Sequence, residues 1–255
     1  MLYSNVVGEG KALVFLHGFS EDLTLWDELA DSLKEYHKII TIDLPGFGKS
    51  PATGGGFSLD DIAELVNSHI LNDLGINNYI VFGHSLGGYV TLAIADLFPD
   101  NVKGVGLINS TSYADSPEKK ENRLKTVDFI NKHGASFFLK SFVPELFTPQ
   151  NQKLLAGKVE KVLIMGQDLP ESVLTSYMLA MRDRPDRSHL LSEIENFLFI
   201  GGEEDSHFTI EQMTTQIESL KDSSYGQILK KIAHMSMFEG KTELLSEILR
   251  FAKND

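Results

Sequence analysis

The stretch Tyr79-Ile80-Val81-Phe82-Gly83-His84-Ser85-Leu86-Gly87-Gly88 limits what the chain can fold into more than any other. Four β-favouring residues run into a turn flanked by glycines, and residues 88–98 beyond it are apolar enough for a buried helix. Strand, sharp turn and helix in that order leave Ser85 at the apex. So tight a turn strains the backbone of its central residue, and a Cβ at Gly83 or Gly87 would crowd the closely packed strand and helix. The Leu86 N–H then falls at a helix N-terminus, where an unpaired donor and the positive end of the dipole favour a developing negative charge. One short motif offers both a nucleophile and a donor to an oxyanion.

Strands and helices alternate around this turn. Residues 2–7 read as a short strand, turned by Gly8-Glu9-Gly10 into the apolar run of residues 12–16 as a hairpin feeding a central strand. Residues 23–36 carry helical spacing, residues 39–42 a second buried strand, and Ser58 with Asp61 a capping box for a helix that runs to about residue 74. After the nucleophile helix, residues 102–109 form another strand. Residues 111–191 then show only helical segments punctuated by prolines, with the ambiguous apolar run 162–165 read as helix. The sheet resumes at residues 196–200, a helix follows at 208–220, a last strand at 225–232 and a closing helix at 241–252. Strands lacking a polar face argue for a mostly parallel sheet covered by helices on both faces. The fold class expected is α/β, with a core of residues 1–110 and 192–255 and a helical insertion of residues 111–191.

Composition excludes several functions. The 255 residues hold 36 acidic against 23 basic side chains, a net charge of −13 that opposes attraction to nucleic acid or an anionic membrane. There is no cysteine, which removes thiolate chemistry and cysteine metal sites. The first ten residues lack a basic, apolar leader pattern and no apolar run is long enough to span a bilayer, so the expected location is cytoplasmic. No pair of histidines has metal-ligand spacing with a carboxylate, and neither a metal nor a cofactor is expected. The expected partner is a small-molecule substrate.

Ser85, Asp205 and His234 each fall just beyond the C-terminus of a predicted strand, where open parallel sheets place their sites. Their chemistry is complementary: a base to take the hydroxyl proton, and a carboxylate to fix the imidazole tautomer. In these residues and their order the sequence resembles the α/β-hydrolase superfamily, in the capped group of small esterases, carbon-carbon bond hydrolases and cofactor-free haloperoxidases. His17-Gly18-Phe19 is similar to that family's oxyanion loop, residues 43–50 to its Asp-x-Pro-Gly-x-Gly-x-Ser loop, residues 83–88 to its elbow and residues 202–205 to its acid loop. The resemblance implies Ser85 as nucleophile, His234 as base, Asp205 as orienting acid, and the Phe19 amide as an oxyanion donor beside that of Leu86. It also implies hydrolysis of a small or medium, hydrophobic ester through an acyl-enzyme. Carbon-carbon or thioester cleavage on the same triad, or ligand binding without catalysis, are the alternatives. Ala233 in place of the usual Gly before the histidine, and Gly240-Lys241 in place of a Pro, depart from the pattern.

The remaining candidates sort by setting. His17 reads as a structural part of its loop, and His84 as buried in the elbow and turned from the reaction. His207 precedes a helix, which favours His234 as the base. His37, His69, His133 and His189 are expected on the surface. Glu203, Glu204, Asp115 and Asp128 compete with Asp205. Arg182, Arg184 and Arg187, interleaved with Asp183 and Asp186, read as a solvated ion-paired face. Phe129, Phe137, Phe138, Phe142 and Phe147, with Met178 and Met181, are expected either to line an apolar pocket or to pack cap helices together. Tyr89 stands where some menaquinone-pathway relatives carry arginine.

Overall fold

The computed structural model describes residues 1–54 and 56–253. Its strands are β1 (Ser4–Val7), β2 (Ala12–Leu16), β3 (Lys38–Ile42), β4 (Tyr79–His84), β5 (Val102–Ile108), β6 (Phe197–Gly202) and β7 (Gly226–Leu229), side by side in the order β1-β3-β2-β4-β5-β6-β7. All neighbours run parallel except β1. β2, β4 and β6 are buried at every position, as strands covered on both faces must be.

The expected hairpin does not form. β1 pairs antiparallel with β3, Val7 opposite Ile39, and not with β2. Both edges of β2 are already taken, by β3 and β4 in parallel register, so the N-terminal segment finds its partner on the outer edge of β3.

The helices of the first half are α1 (Asp27–Leu33), entered through a 3-10 turn at Leu23–Trp26, then α2 (Leu59–Ser68) and α3 (Leu86–Leu97). The Ser58–Asp61 capping box is present, and a π-helical turn at His69–Asp73 extends α2 toward Gly75. From β2 the chain steps one way to β3, and from β3 it passes back over to β4. Right-handed crossovers therefore put α1 on one face of the sheet and α2 and α3 on the other. Phe15, Trp26, Phe82 and Phe251 pack ring on ring on the α1 face.

Between β5 and β6 lie α4 (Pro117–His133), α5 (Ala135–Glu145), α6 (Pro149–Leu154), α7 (Ala156–Gly166), α8 (Glu171–Asp183) and α9 (Leu190–Glu193). Residues 162–165 are helical, within α7. α4 packs on α8 and α5 on α7. The chain ends with α10 (Ile210–Glu218), α11 (Ser236–Glu239) and α12 (Lys241–Ala252), and its last strand is shorter than the sequence pattern. Among the described residues no helix is long and apolar enough to cross a membrane.

Candidate active site

The order β3-β2-β4 makes a topological switch point between β2 and β4, and the loops leaving those strands carry Phe19 and Ser85. Ser85 has φ 49° and ψ −113°, a conformation that a non-glycine residue holds only when its surroundings impose it. The surroundings are the glycines on either side. A Cβ at Gly83 would strike the Gly87 carbonyl, and one at Gly87 the carbonyls of Leu16 and His17. That close approach seats the start of α3 directly on the end of β2. The backbone of Ser85 is tied down through N–H to the Ile108 carbonyl (3.1 Å), while its carbonyl accepts from Ser110 Oγ (2.8 Å). The side chain lines a cavity of about 520 Å³ together with Phe19, Tyr89, Phe142, His207 and Phe208.

His234 Nδ1 lies 2.7 Å from Asp205 Oδ2, with both side chains almost wholly buried. Asp205 Oδ1 accepts the His207 N–H at 2.9 Å, and Asn109 Nδ2 donates to Asp205 Oδ2 at 3.2 Å and to the Ala233 carbonyl at 2.9 Å. Burial opposes charge on Asp205, but the adjoining His234 and His207 rings outweigh it and hold the carboxyl well below the ordinary range. Burial likewise disfavours the imidazolium form of His234. Asp205 restores only part of the loss, and the His234 pKa settles at about 4. At neutral pH a neutral imidazole therefore faces an ionised carboxylate. With Nδ1–H donated to Asp205, Nε2 holds the lone pair. Among the described residues no hydrogen bond yet joins Ser85 to His234, a contact that in unliganded sites often closes only on substrate.

The competing acids are elsewhere. Glu203 and Glu204 are exposed, Asp128 is exposed, and Asp115 pairs with Arg123 and Arg184. His207 lies against Asp205 too, its Nδ1 3.4 Å from Oδ1 and its ring centroid 4.4 Å from that of His234. It lies tilted against the ring of the candidate base as well as competing with it.

Two features escape a reading of the sequence. His84 has both ring nitrogens on acceptors, Nδ1 3.0 Å from Glu21 Oε2 and Nε2 3.0 Å from the His234 carbonyl. Both nitrogens must donate, so His84 is an imidazolium paired with buried Glu21. Burial works against both charges; the pairing prevails, raising the His84 pKa and lowering that of Glu21. Glu21 Oε2 also accepts the Gly18 N–H at 2.6 Å. One ion pair thus joins the loop of Phe19, the elbow and the loop of His234. His84 is buried as expected, but as a tie between loops. The second feature is Asn109, whose φ of 46° aims its amide across to Asp205. Its residue type, which tolerates the left-handed region, was the available signal.

His17 is structural as expected: Nε2 accepts the Leu44 N–H (2.9 Å) and Nδ1 donates to the Gly18 carbonyl (2.8 Å). Two other expectations are corrected, the surface histidines and the solvated arginine face. His37 and His69 are buried, His69 because it bridges Asp73 and Ser4. Arg184 and Arg187 are buried rather than solvated. Arg187 is held by Asp96 and Asp60, and Arg184 stacks 3.9 Å from the Tyr89 ring centroid. Of the three, Arg182, paired with Asp183, is half-buried. Of the cap phenylalanines, Phe138 and Phe142 line the cavity with Met178 and Met181, whereas Phe137 is exposed. Asp205, His207 and His234 place three possible ligand atoms within 4.8 Å of one another; hydrogen bonds engage Asp205 and His234 Nδ1, whereas the buried His207 Nδ1 makes none among the described residues.

A strained serine between strand and helix at a sheet's switch point, with a carboxylate–imidazole pair on the neighbouring loops, defines a class of protein before any comparison. Residues 11–241 match the family model of the alpha/beta hydrolase fold, and the chain belongs to that family. It is 32% identical over 177 residues to the dihydrolipoyllysine-residue acetyltransferase component of the acetoin cleaving system of Cupriavidus necator, a match covering 66% of this chain and 46% of that protein. The chain thus spans less than half the length of that curated relative. It is 27% identical over 210 residues to the 2-hydroxy-6-oxononadienedioate/2-hydroxy-6-oxononatrienedioate hydrolase of Burkholderia vietnamiensis, covering 76% of this chain and 70% of that one. Among solved structures, a thermophilic esterase from Thermogutta terrifontis superposes with a TM-score of 0.90 at 25% identity, over 99% of this chain and 93% of that chain.

Proposed function

We propose that the protein is a serine hydrolase cleaving small or medium, apolar-armed esters through an acyl-enzyme. The observation that carries this reading is the 2.7 Å contact between buried Asp205 and a neutral His234, beside the cavity on whose wall strained Ser85 stands. His234 Nε2 takes the Ser85 proton as Oγ bonds to the ester carbon, and the carbonyl oxygen gains the negative charge. The N–H groups of Phe19 and Leu86 receive that oxyanion. Collapse breaks the bond to the alcohol, which leaves with the proton from His234. Water then attacks the acyl-enzyme with His234 again as base, and the acid departs. Asp205 holds the tautomer and stabilises the imidazolium formed in each half. Residues 111–191 act as a cap whose Phe138, Phe142, Met178 and Met181 supply the apolar wall, over a core of residues 1–110 and 192–255. Likeness to the Burkholderia vietnamiensis hydrolase supports carbon-carbon bond hydrolysis on the same residues as the second reading.

Turnover of p-nitrophenyl esters from acetate to laurate, in wild type and Ser85→Ala, tests the proposal. The variant is expected to lose on the order of 10⁶-fold in kcat. Equal activity in both proteins would overturn the assignment of Ser85. An inactive wild type would favour the second reading over simple esters.

A further inference from the structure

Lys119, Asn122, Arg123 and Thr126 stand at i, i+3, i+4 and i+7 of α4, hence on one helix face, and all four line the cavity that contains Ser85. Two of them are cations in a molecule of net charge −13. Arg123 Nε donates to Asp115, and its Nη1 lies 3.7 Å from Met178 Sδ and 3.5 Å from Met181 Sδ, which are weak acceptors. The Nη1 donors are thus held only by weak acceptors, and among the described residues Nη2 makes no hydrogen bond. Lys119 Nζ donates to the His207 carbonyl at 2.9 Å and rests 5.1 Å from the Phe208 ring centroid. Among the described residues it forms no ion pair, and burial lowers its pKa from the ordinary lysine value.

The charges around this wall do not balance. Asp115 is shared between Arg123 and Arg184, so with Lys119 three cations meet one carboxylate. Asp205 is the other acid whose field reaches Lys119, and it is engaged with His234. Glu145, on the same cavity wall, is exposed and screened by solvent. Partly buried cations without a matching anion are costly, and an anion entering the cavity relieves that cost. Phe138, Phe142, Met178 and Met181 supply the apolar surface of the same cavity.

We propose that the Lys119–Arg123 face of α4 is a carboxylate-binding subsite, and that the substrate is an ester whose short apolar arm ends in a carboxylate. The proposal rests on Ser85 being the nucleophile. Guanidinium and ammonium donors suit that group through charge-assisted hydrogen bonds, and the Phe and Met side chains suit the methylenes between it and the ester.

The test compares kcat/KM for monomethyl adipate, methyl hexanoate and a methyl ester of the same length ending in trimethylammonium, with wild type, Lys119→Gln and Arg123→Gln. Wild type is expected to prefer the adipate half-ester to methyl hexanoate by about 10- to 100-fold and to handle the cationic ester worst. Each variant should lower the adipate-to-hexanoate ratio by about tenfold. A wild-type ratio at or below one, or a ratio unchanged in both folded variants, overturns the subsite. If no ester is turned over, or Ser85→Ala turns them over equally well, the nucleophile reading is what has failed. Calorimetry with adipate then decides the subsite separately. Binding to Ser85→Ala that is lost in Ser85→Ala/Lys119→Gln supports it, and equal or absent binding refutes it.

Discussion

The His234 ring touches more than its acid. His207 lies tilted against it and shares Asp205, and a second imidazole at that distance disfavours a proton on the first. With His234 in its proposed role as base, which must be neutral to act, kcat/KM is expected to fall as the pH drops through about 4. Replacing His207 by Gln removes the neighbouring imidazole that lowers the His234 pKa, so the acid limb should move to higher pH; a pH–rate profile that does not move would show His207 to be a bystander. The same burial makes stability fall on acidification, since the unfolded chain takes up the proton at the ordinary histidine pKa and the folded chain resists until about 4. The placement of Ser85, Asp205 and His234 in loops after β4, β6 and β7 was legible in the sequence, because chain order alone sets it. Glu21 and Asn109 were not, because their partners His84 and Asp205 lie 63 and 96 positions away and only the fold brings them together.

Among the elements, continuous apolar runs revealed the parallel strands, since strands covered on both faces have no polar side to confuse the pattern. The N-terminal strand went to the wrong partner because a Gly-rich turn signals a hairpin without showing which strand edges are already taken. α4 was hidden differently: about half of its 17 residues are charged and no motif marks any of them as a site, yet four of them line the cavity. The glycines allow a direct test of the elbow. Gly83→Ala drives a Cβ into the Gly87 carbonyl and is expected to cost about 3 kcal/mol in urea unfolding. Gly157→Ala, exposed within α7 with nothing near its Cβ position, should instead stabilise by about 0.5–1 kcal/mol. A Gly83→Ala protein as stable as wild type would mean that close approach does not govern the elbow.

Across the whole molecule, Glu28 of α1 joins parts remote in sequence, accepting from Lys158 of α7 and from Lys241 at the start of α12 (2.6 Å). Hydrogen bonds from the two lysines hold its pKa at about 2. The stability this adds is present above the ordinary glutamate pKa and is lost as pH falls toward about 2. The three side chains are about a third exposed or more, so solvent screening limits the gain, and Glu28→Gln is expected to cost at most about 1 kcal/mol at pH 7 and less below pH 4. A cost that does not shrink on acidification would assign the effect to packing. The central claim, that these loops converge to activate one serine, is tested most directly with a fluorophosphonate. Attack by Ser85 Oγ on phosphorus expels fluoride and leaves a stable adduct readable by peptide mass spectrometry. The account predicts a single adduct on Ser85, absent from Ser85→Ala and formed much more slowly in His234→Ala. Adduct on another residue, or labelling of Ser85 at the same rate without His234, would contradict it.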